Sequence, residues 1–170
     1  MDGPPLDLSG QMEPELLERL RQSGLRLDRE GRWWHEGQQV THRGLARALH
    51  RWLDRLDDGR FVVRLDQQRV AYVEVEDAPY TVRTITVSGQ GDGAPRVRVH
   101  LSDESEEELG YDTLEVSRAD NALYCRVKGG QPARFSRPAY YLLAELIEPD
   151  QGGFVLRAAG GRWPIGQRRE

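Results

Sequence analysis

Cysteine is nearly absent from this chain. Cys125 is the single one, so no intrachain disulfide can form and the fold rests on packing, hydrogen bonds and charge. It lies in the alternating run Leu123-Tyr124-Cys125-Arg126-Val127 and reads as a buried strand residue, since a reactive thiol needs an electropositive, accessible setting. Lysine is as scarce: Lys128 is alone among 24 basic residues, and the rest are arginine. Arginine codons are GC-rich, which points first to base composition and dilutes any inference from arginine's bidentate chemistry. Long apolar runs are missing, and none approaches the ~20 residues that span a bilayer as a helix. No basic-then-apolar leader opens the chain. These absences predict a cytoplasmic protein without a membrane partner. An excess of positive charge is missing too: the net charge of −4 argues against general nucleic-acid binding, which needs a basic face to displace counterions. Metal-ligand spacing is also lacking. His42 and His50 stand eight residues apart on one predicted helix, too far to share an ion, so neither a metal nor a cofactor is predicted.

What is present is a modest hydrophobic content of 38% beside 31% charged residues, enough for one domain or two small halves sharing a core. The two ends of the chain repeat each other. Trp33-Trp34 answers to Leu123-Tyr124, Thr41 to Ser136, and Phe61-Val62-Val63-Arg64 to Phe154-Val155-Leu156-Arg157. The expected division is an N-terminal arm and helix over 1–24, a first unit with extra strands over 25–111, a related second unit over 112–166, and a tail over 167–170. Each unit is too small to bury its own helix well, so two packed copies make one fold, and the seam between them is where a ligand would sit.

The expected elements follow from period and punctuation. Leu16, Leu17 and Leu20 predict a helix over Glu13–Gln22, stopped by Gly24. Leu25–Leu27 and Arg32–His35 flank Asp28-Arg29-Glu30-Gly31, a hairpin signature. Thr41 reads as the N-cap of a helix over Arg43–Leu56 whose stripe is Leu45, Ala48, Leu49, Trp52, Leu53 and Leu56. Strands are predicted at Arg60–Leu65, Val70–Val75, Tyr80–Ser88 and Pro95–Leu101. The acidic stretch Ser102–Gly110 reads as a solvated loop. Strands at Leu114–Val116 and Leu123–Val127 precede a second helix capped by Ser136, with Tyr140, Leu143, Leu146 and Ile147 on its buried side, and Phe154–Arg157 and Arg162–Ile165 close the chain as a hairpin. Runs of strands joined by tight turns predict an α+β class with largely antiparallel sheets: hairpin, helix, hairpin, twice over.

Several stretches carry a resemblance. They are Leu27-Asp28-x-x-Gly31-x-Trp33-Trp34-His35-Glu36-Gly37, Val73-Glu74-Val75-Glu76-Asp77-Ala78-Pro79-Tyr80, Ala133-Arg134-x-Ser136-Arg137-Pro138-x-Tyr140-Tyr141-x-Leu143, and Trp163-Pro164-Ile165-Gly166. Together they resemble a bacterial domain-of-unknown-function family, number twelve-eighty-five, and span most of the chain from Leu25 to Gly166. The resemblance implies two similar small α/β units with a groove between them and a general association with bacterial signalling. It brings no reaction and no catalytic residues. Where that family tends to carry a polar Thr-Asn and Gly-Asp pattern, this chain has Val99-His100-Leu101-Ser102-Asp103 and keeps only the aspartate.

The candidate site residues are Trp34, His35, Glu76, Asp77, Arg134, Arg137 and Tyr140. Glu74 and Glu76 share a strand face, where like charges repel and raise a pKa. The structural alternative makes Asp77 a turn residue that bonds nearby backbone N–H groups. His35, near Asp77 or Glu76, is a candidate general base, or a hydrogen-bonded residue at a strand end. Arg134 and Arg137 lie near a helix start and suit a carboxylate or phosphate; the alternative is a salt bridge to Glu76-Asp77 that welds the halves. Of Tyr140 and Tyr141, one faces the core and one is free to reach the groove. The residues thus predict a non-enzymatic module for a small anionic ligand or peptide. The alternatives are an enzyme using His35 with Glu76 or Asp77, and a module that binds a protein partner.

Overall fold

A computed structural model gives the fold and describes residues 22–66, 69–89, 91 and 93–169. The helix expected over Glu13–Gln22 lies outside the described residues except for Gln22, which opens a strand.

The first sheet is built from β1 (Gln22–Leu27), β2 (Trp33–His35), β3 (Gln38–Gln39), β4 (Leu53–Arg55), β5 (Phe61–Arg64) and β6 (Val70–Val75), with helix α1 (Arg43–Trp52) between β3 and β4. Its order is β3-β2-β1-β6-β5-β4. β1 and β6 run parallel at its centre, and the other pairs are antiparallel. Alternation sorts the faces. Leu25 and Leu27 pair with Val73 and Val75, and this face meets Leu49 of α1 in a core with Trp33, Leu53 and Val63. Trp33 is buried and Trp34 is turned to the other face, as alternation requires.

The rest of the chain contributes β7 (Tyr80–Ser88), β8 (Arg96–Leu101), β9 (Glu106–Glu108), β10 (Glu115–Val116), β11 (Leu123–Val127), β12 (Gln131–Phe135), helix α2 (Arg137–Ala144), β13 (Ile147–Asp150), β14 (Gly153–Ala158), β15 (Gly161–Pro164) and β16 (Gly166–Gln167). A seven-stranded sheet runs β16-β10-β11-β12-β7-β8-β9, and β13-β14-β15 form a separate sheet. Pairs β7·β12 and β10·β16 are parallel. Val82, Val99, Leu101, Leu123, Cys125, Phe135, Leu143 and Leu156 form the larger core. The protein is α+β, with mixed but largely antiparallel sheets. No helix among the described residues is long and apolar enough to cross a membrane.

The succession β2, β3, α1, β4, β5, β6 matches β11, β12, α2, β13, β14, β15 in element type. The local pairings match as well: an antiparallel pair before each helix and a three-stranded meander after it. The outside partners differ. β1 bridges β2 and β6, whereas β12 takes β7 and the second meander stays apart.

Five expectations are corrected. Helix α2 ends at Ala144, so Leu146 and Ile147, expected on its buried side, lie beyond it, and Ile147 opens β13. Helix α1 ends at Trp52, not Leu56, because Leu53 turns extended and pairs with Val63; the ladder offered by β5 outweighs helix propensity there. Its cap is His42, whose Nδ1 accepts the Leu45 N–H at 3.1 Å, not Thr41. Leu45 and Trp52, expected on the buried stripe, are 46% and 41% exposed because the short helix meets the sheet mainly through Leu49 and His50. The acidic stretch 102–110 is not all loop: Glu106–Glu108 pair with β8, where Arg96 and Arg98 offset their charge and His100 lies 3.2 Å from Glu106. Strands β12 and β13 were hidden by their prolines. Pro132 lies just before the β7 ladder begins at Ala133, and Pro149 sits on an edge strand.

His50 is the largest polar group in the first core, 1% exposed and edge-on to Trp33 at 5.2 Å between ring centroids. Neither ring nitrogen has a hydrogen-bond partner among the described residues. Burial, helped by Arg83, pushes the imidazole down to about 4; the Gly31 backbone and Asp103 oppose this without a bond of ordinary geometry. The folded ring therefore stays neutral where the unfolded one, near 6.5, takes up a proton. Between about pH 6.5 and 4 the unfolded state binds more protons, so stability falls as pH falls, by roughly 3 kcal/mol in all. Urea midpoints measured across that window will drop toward low pH in the wild type and drop less in His50→Leu. An equal slope in both would contradict the assignment.

Candidate functional site

Strand β6 ends at Val75, and Glu76-Asp77-Ala78-Pro79 carry the chain from the first sheet to the second. The Glu76 N–H donates to Leu27 O at 3.0 Å, and Ala78 and Pro79 are buried, so this crossing is fixed in place. The Asp77 carboxylate does not bond backbone N–H groups of its own turn, as the structural alternative expected, but gathers side chains from elsewhere. Its Oδ2 accepts Tyr124 O–H at 2.6 Å and Arg134 Nη1 at 2.9 Å. Its Oδ1 lies 3.4 Å from Arg168 Nη2. Arg134 also donates from Nη2 to Asp120 at 2.8 Å, and Arg168 stacks on the Tyr124 ring at 3.8 Å.

Electrostatics follow from this packing. Burial, with the Asp77 carboxylate against its oxygen, pushes the Tyr124 hydroxyl up to about 12, so it is a donor at any ordinary pH. Burial alone would ease the proton off Arg134, but its bonds to Asp77 and Asp120 outweigh that and hold it charged. Burial likewise works to raise Asp120, and the Ala122 N–H and Arg134 outweigh it, leaving this carboxyl below its usual range. Cys125 is pushed up to about 12 by burial and Glu107, which makes it an inert thiol.

The other predicted residues are dispersed. Trp34 donates from Nε1 to the buried Asp28 at 2.8 Å and lies under Arg26 and Arg32. Glu76 pairs with Arg26 and accepts the Arg29 backbone N–H at 3.3 Å. His35 is exposed and apart from both carboxylates. Leu25 pairs with His35 and with Val73, while Arg26 pairs with Trp34 and with Glu74. Directly paired residues share a face, so His35 lies on the face opposite Glu74 and Glu76. Glu76 is also three residues beyond Val73, roughly 10 Å along the strand.

Arg134, Arg137 and Tyr140 do come together. They line a cleft of about 710 Å³ between the β1–β2 turn (Arg29, Glu30), the β10–β11 turn (Asp120, Asn121) and the start of α2 (Ser136, Arg137, Tyr140, Tyr141). Among the described residues the Arg29 and Arg137 guanidinium groups have no carboxylate partner, unlike Arg134. Ser136 caps α2 by accepting the Ala139 N–H, and Pro138 has no N–H, so the helix start offers few donors and the cleft's positive charge is that of side chains. Tyr140 packs against the core, and Tyr141 is 70% exposed.

Two solved structures share this architecture. One is a DUF1285 family protein from Silicibacter pomeroyi DSS-3, 23% identical, with a TM-score of 0.70 over 86% of this chain and 81% of that one. The other is a DUF1285 family protein from Shewanella baltica OS155, 18% identical, with a TM-score of 0.54 over 72% of this chain and 91% of that one. The chain has the fold of the DUF1285 family. It is the family that the Val73–Tyr80 and Ala133–Leu143 motifs resemble. No family model matches the chain, and no curated protein does.

Within this DUF1285 fold, sequence reasoning missed Arg29, Asp120, Tyr124 and Arg168. Alternation did carry a signal for Tyr124, which must face away from Leu123 and Cys125. Arg168 offered none, since nothing local distinguishes it from its neighbour Arg169.

The Asp77 network is partly buried, so removing its centre leaves guanidinium groups poorly compensated. Asp77→Ala will cost roughly 2–4 kcal/mol in urea unfolding and Tyr124→Phe about 1 kcal/mol. An Asp77→Ala/Arg134→Ala cycle will show coupling well above the few tenths typical of exposed pairs. Strict additivity would contradict the network.

Proposed function

We propose that the protein is a non-enzymatic bacterial binding or regulatory module, cytoplasmic and working in signal transduction, which holds a small anionic ligand or an acidic peptide in the groove between two related units. The two units are the matched successions from β2 to β6 and from β11 to β15, and the support for their kinship is the shared order and local pairing. The groove is the cleft between the β1–β2 turn, which leads into the first, and α2 of the second.

The observation that carries this reading is the pair Arg29 and Arg137: two guanidinium groups without carboxylate partners, facing one cleft beside two tyrosines. Guanidinium pairs of this kind suit bidentate carboxylate or phosphate contacts. Tyr141, which lines the cleft and is 70% exposed, favours a ligand with some apolar surface, such as a peptide. Trp34, His35, Glu76 and Asp77 do not line the cleft, so their part in binding is confined to positioning: Asp77 through Arg134, and Glu76 through the Arg29 backbone. The acid–base alternative has weaker support, because the strand register sets His35 and Glu76 on opposite faces and Asp77 is engaged by three side chains.

A thermal-shift screen against dicarboxylates, nucleotides, cyclic dinucleotides and acidic peptides tests the reading. A ligand at ~100 times its Kd adds about 2.7 kcal/mol, a visible rise in Tm. Arg137→Ala and Arg29→Ala are each expected to weaken a hit about tenfold or more without changing the Tm of the free protein. A hit indifferent to both variants would overturn the assignment.

A further inference from the structure

We propose a second anion site, separate from the cleft between the units, in which Arg118, Arg168 and Arg169 bind a phosphoryl group, as a phosphate monoester or diphosphate. It occupies a hollow of about 550 Å³ lined by these three arginines and Gln167.

The fold brings them together through backbone pairing. Arg118 stands on the β10–β11 turn, and β16 runs parallel to β10 in register Glu115 with Gly166 and Val116 with Gln167. The Arg168 N–H extends this ladder to Val116 O at 3.0 Å. The last described segment is thus zipped against the strand that leads into Arg118.

Their charge is left over. Arg118 donates from Nε to Gln167 Oε1 at 2.6 Å, and Gln167 is neutral, so this bond orients the guanidinium without neutralising it. Arg168 pairs with Asp77 and is held by stacking on Tyr124, so it is pinned in place and contributes directed N–H groups, while Arg118 and Arg169 supply the uncompensated charge. Arg169 has no ion-pair partner among the described residues. Among the described residues no carboxylate lines the hollow. A positive island therefore persists on a chain whose net charge is −4.

Three forked guanidinium groups offer more N–H donors than the two oxygens of a carboxylate can accept, whereas a phosphoryl group presents three terminal oxygens and a second negative charge. The acidic whole disfavours a polyanion that must lie along the surface. Among the described residues no aromatic side chain lines the hollow, so no ring is offered to a base and recognition is confined to the phosphoryl group.

Titration calorimetry of the full chain with inorganic pyrophosphate, in about 150 mM salt to screen diffuse attraction, tests this. We expect one saturable site, weakened roughly tenfold in Arg118→Ala and again in Arg169→Ala, and unchanged in Arg137→Ala. Absence of saturable binding, or binding unchanged in the Arg118→Ala/Arg169→Ala double variant, overturns it. So does loss of pyrophosphate binding in Arg137→Ala, which would move the anion to the cleft between the units. Because Arg118 and Arg169 lie outside that cleft, the two assignments fail independently.

Discussion

Everything that positions the candidate sites depends on how one carboxylate is shared. Asp77 sits where the chain passes from the first sheet to the second, and it draws Tyr124 from β11, Arg134 from β12 and Arg168 from the segment after β16 onto itself. Partial burial gives these contacts their weight, since a charge removed from water and then deprived of its partner is far more costly than an exposed one. The crossing, the central strands of the larger sheet and the last strand are thereby tied at one point.

That sharing also sets which arginines are available. Arg134 is consumed between Asp77 and Asp120, so it shapes the cleft wall rather than supplying free charge. Arg29 and Arg137 remain open in the cleft, and Arg118 and Arg169 remain open in the separate hollow. With 23 arginines in the chain, their number alone says little. Which of them lack a carboxylate, and whether those converge, is what separates a binding surface from a solvated one.

Much of the fold was legible in the chain. Val70–Val75 and Tyr80–Ser88 form strands with the bounds expected from turn punctuation and β-branched content, Trp33 and Trp34 part to opposite faces, and Ser136 caps its helix. The losses have physical causes. Leu53 belongs to a helical stripe by spacing and to a strand by pairing, and a partner strand is invisible to local periodicity. Pro132 and Pro149 mask strands whose ladders happen not to need those N–H groups. The salt bridge between Arg134 and the Glu76-Asp77 turn was foreseeable from charge, but the recruitment of Tyr124 and Arg168 was not. They lie 47 residues or more from Asp77 in the chain and meet it only because β11, β12 and β16 share one sheet. His35 was misplaced for a simpler reason: strand register, which decides faces, cannot be read without the pairing.

The central claim, that Asp77 locks the two sheets and the last strand together, is most directly tested by native-state amide hydrogen exchange in the wild type and in Asp77→Asn. The account predicts faster exchange in the variant at three separated places: the Glu76–Pro79 crossing, β11 and β12, and the Arg168 amide bonded to Val116. Acceleration confined to residues 76–79, with β11, β12 and Arg168 protected as before, would contradict it.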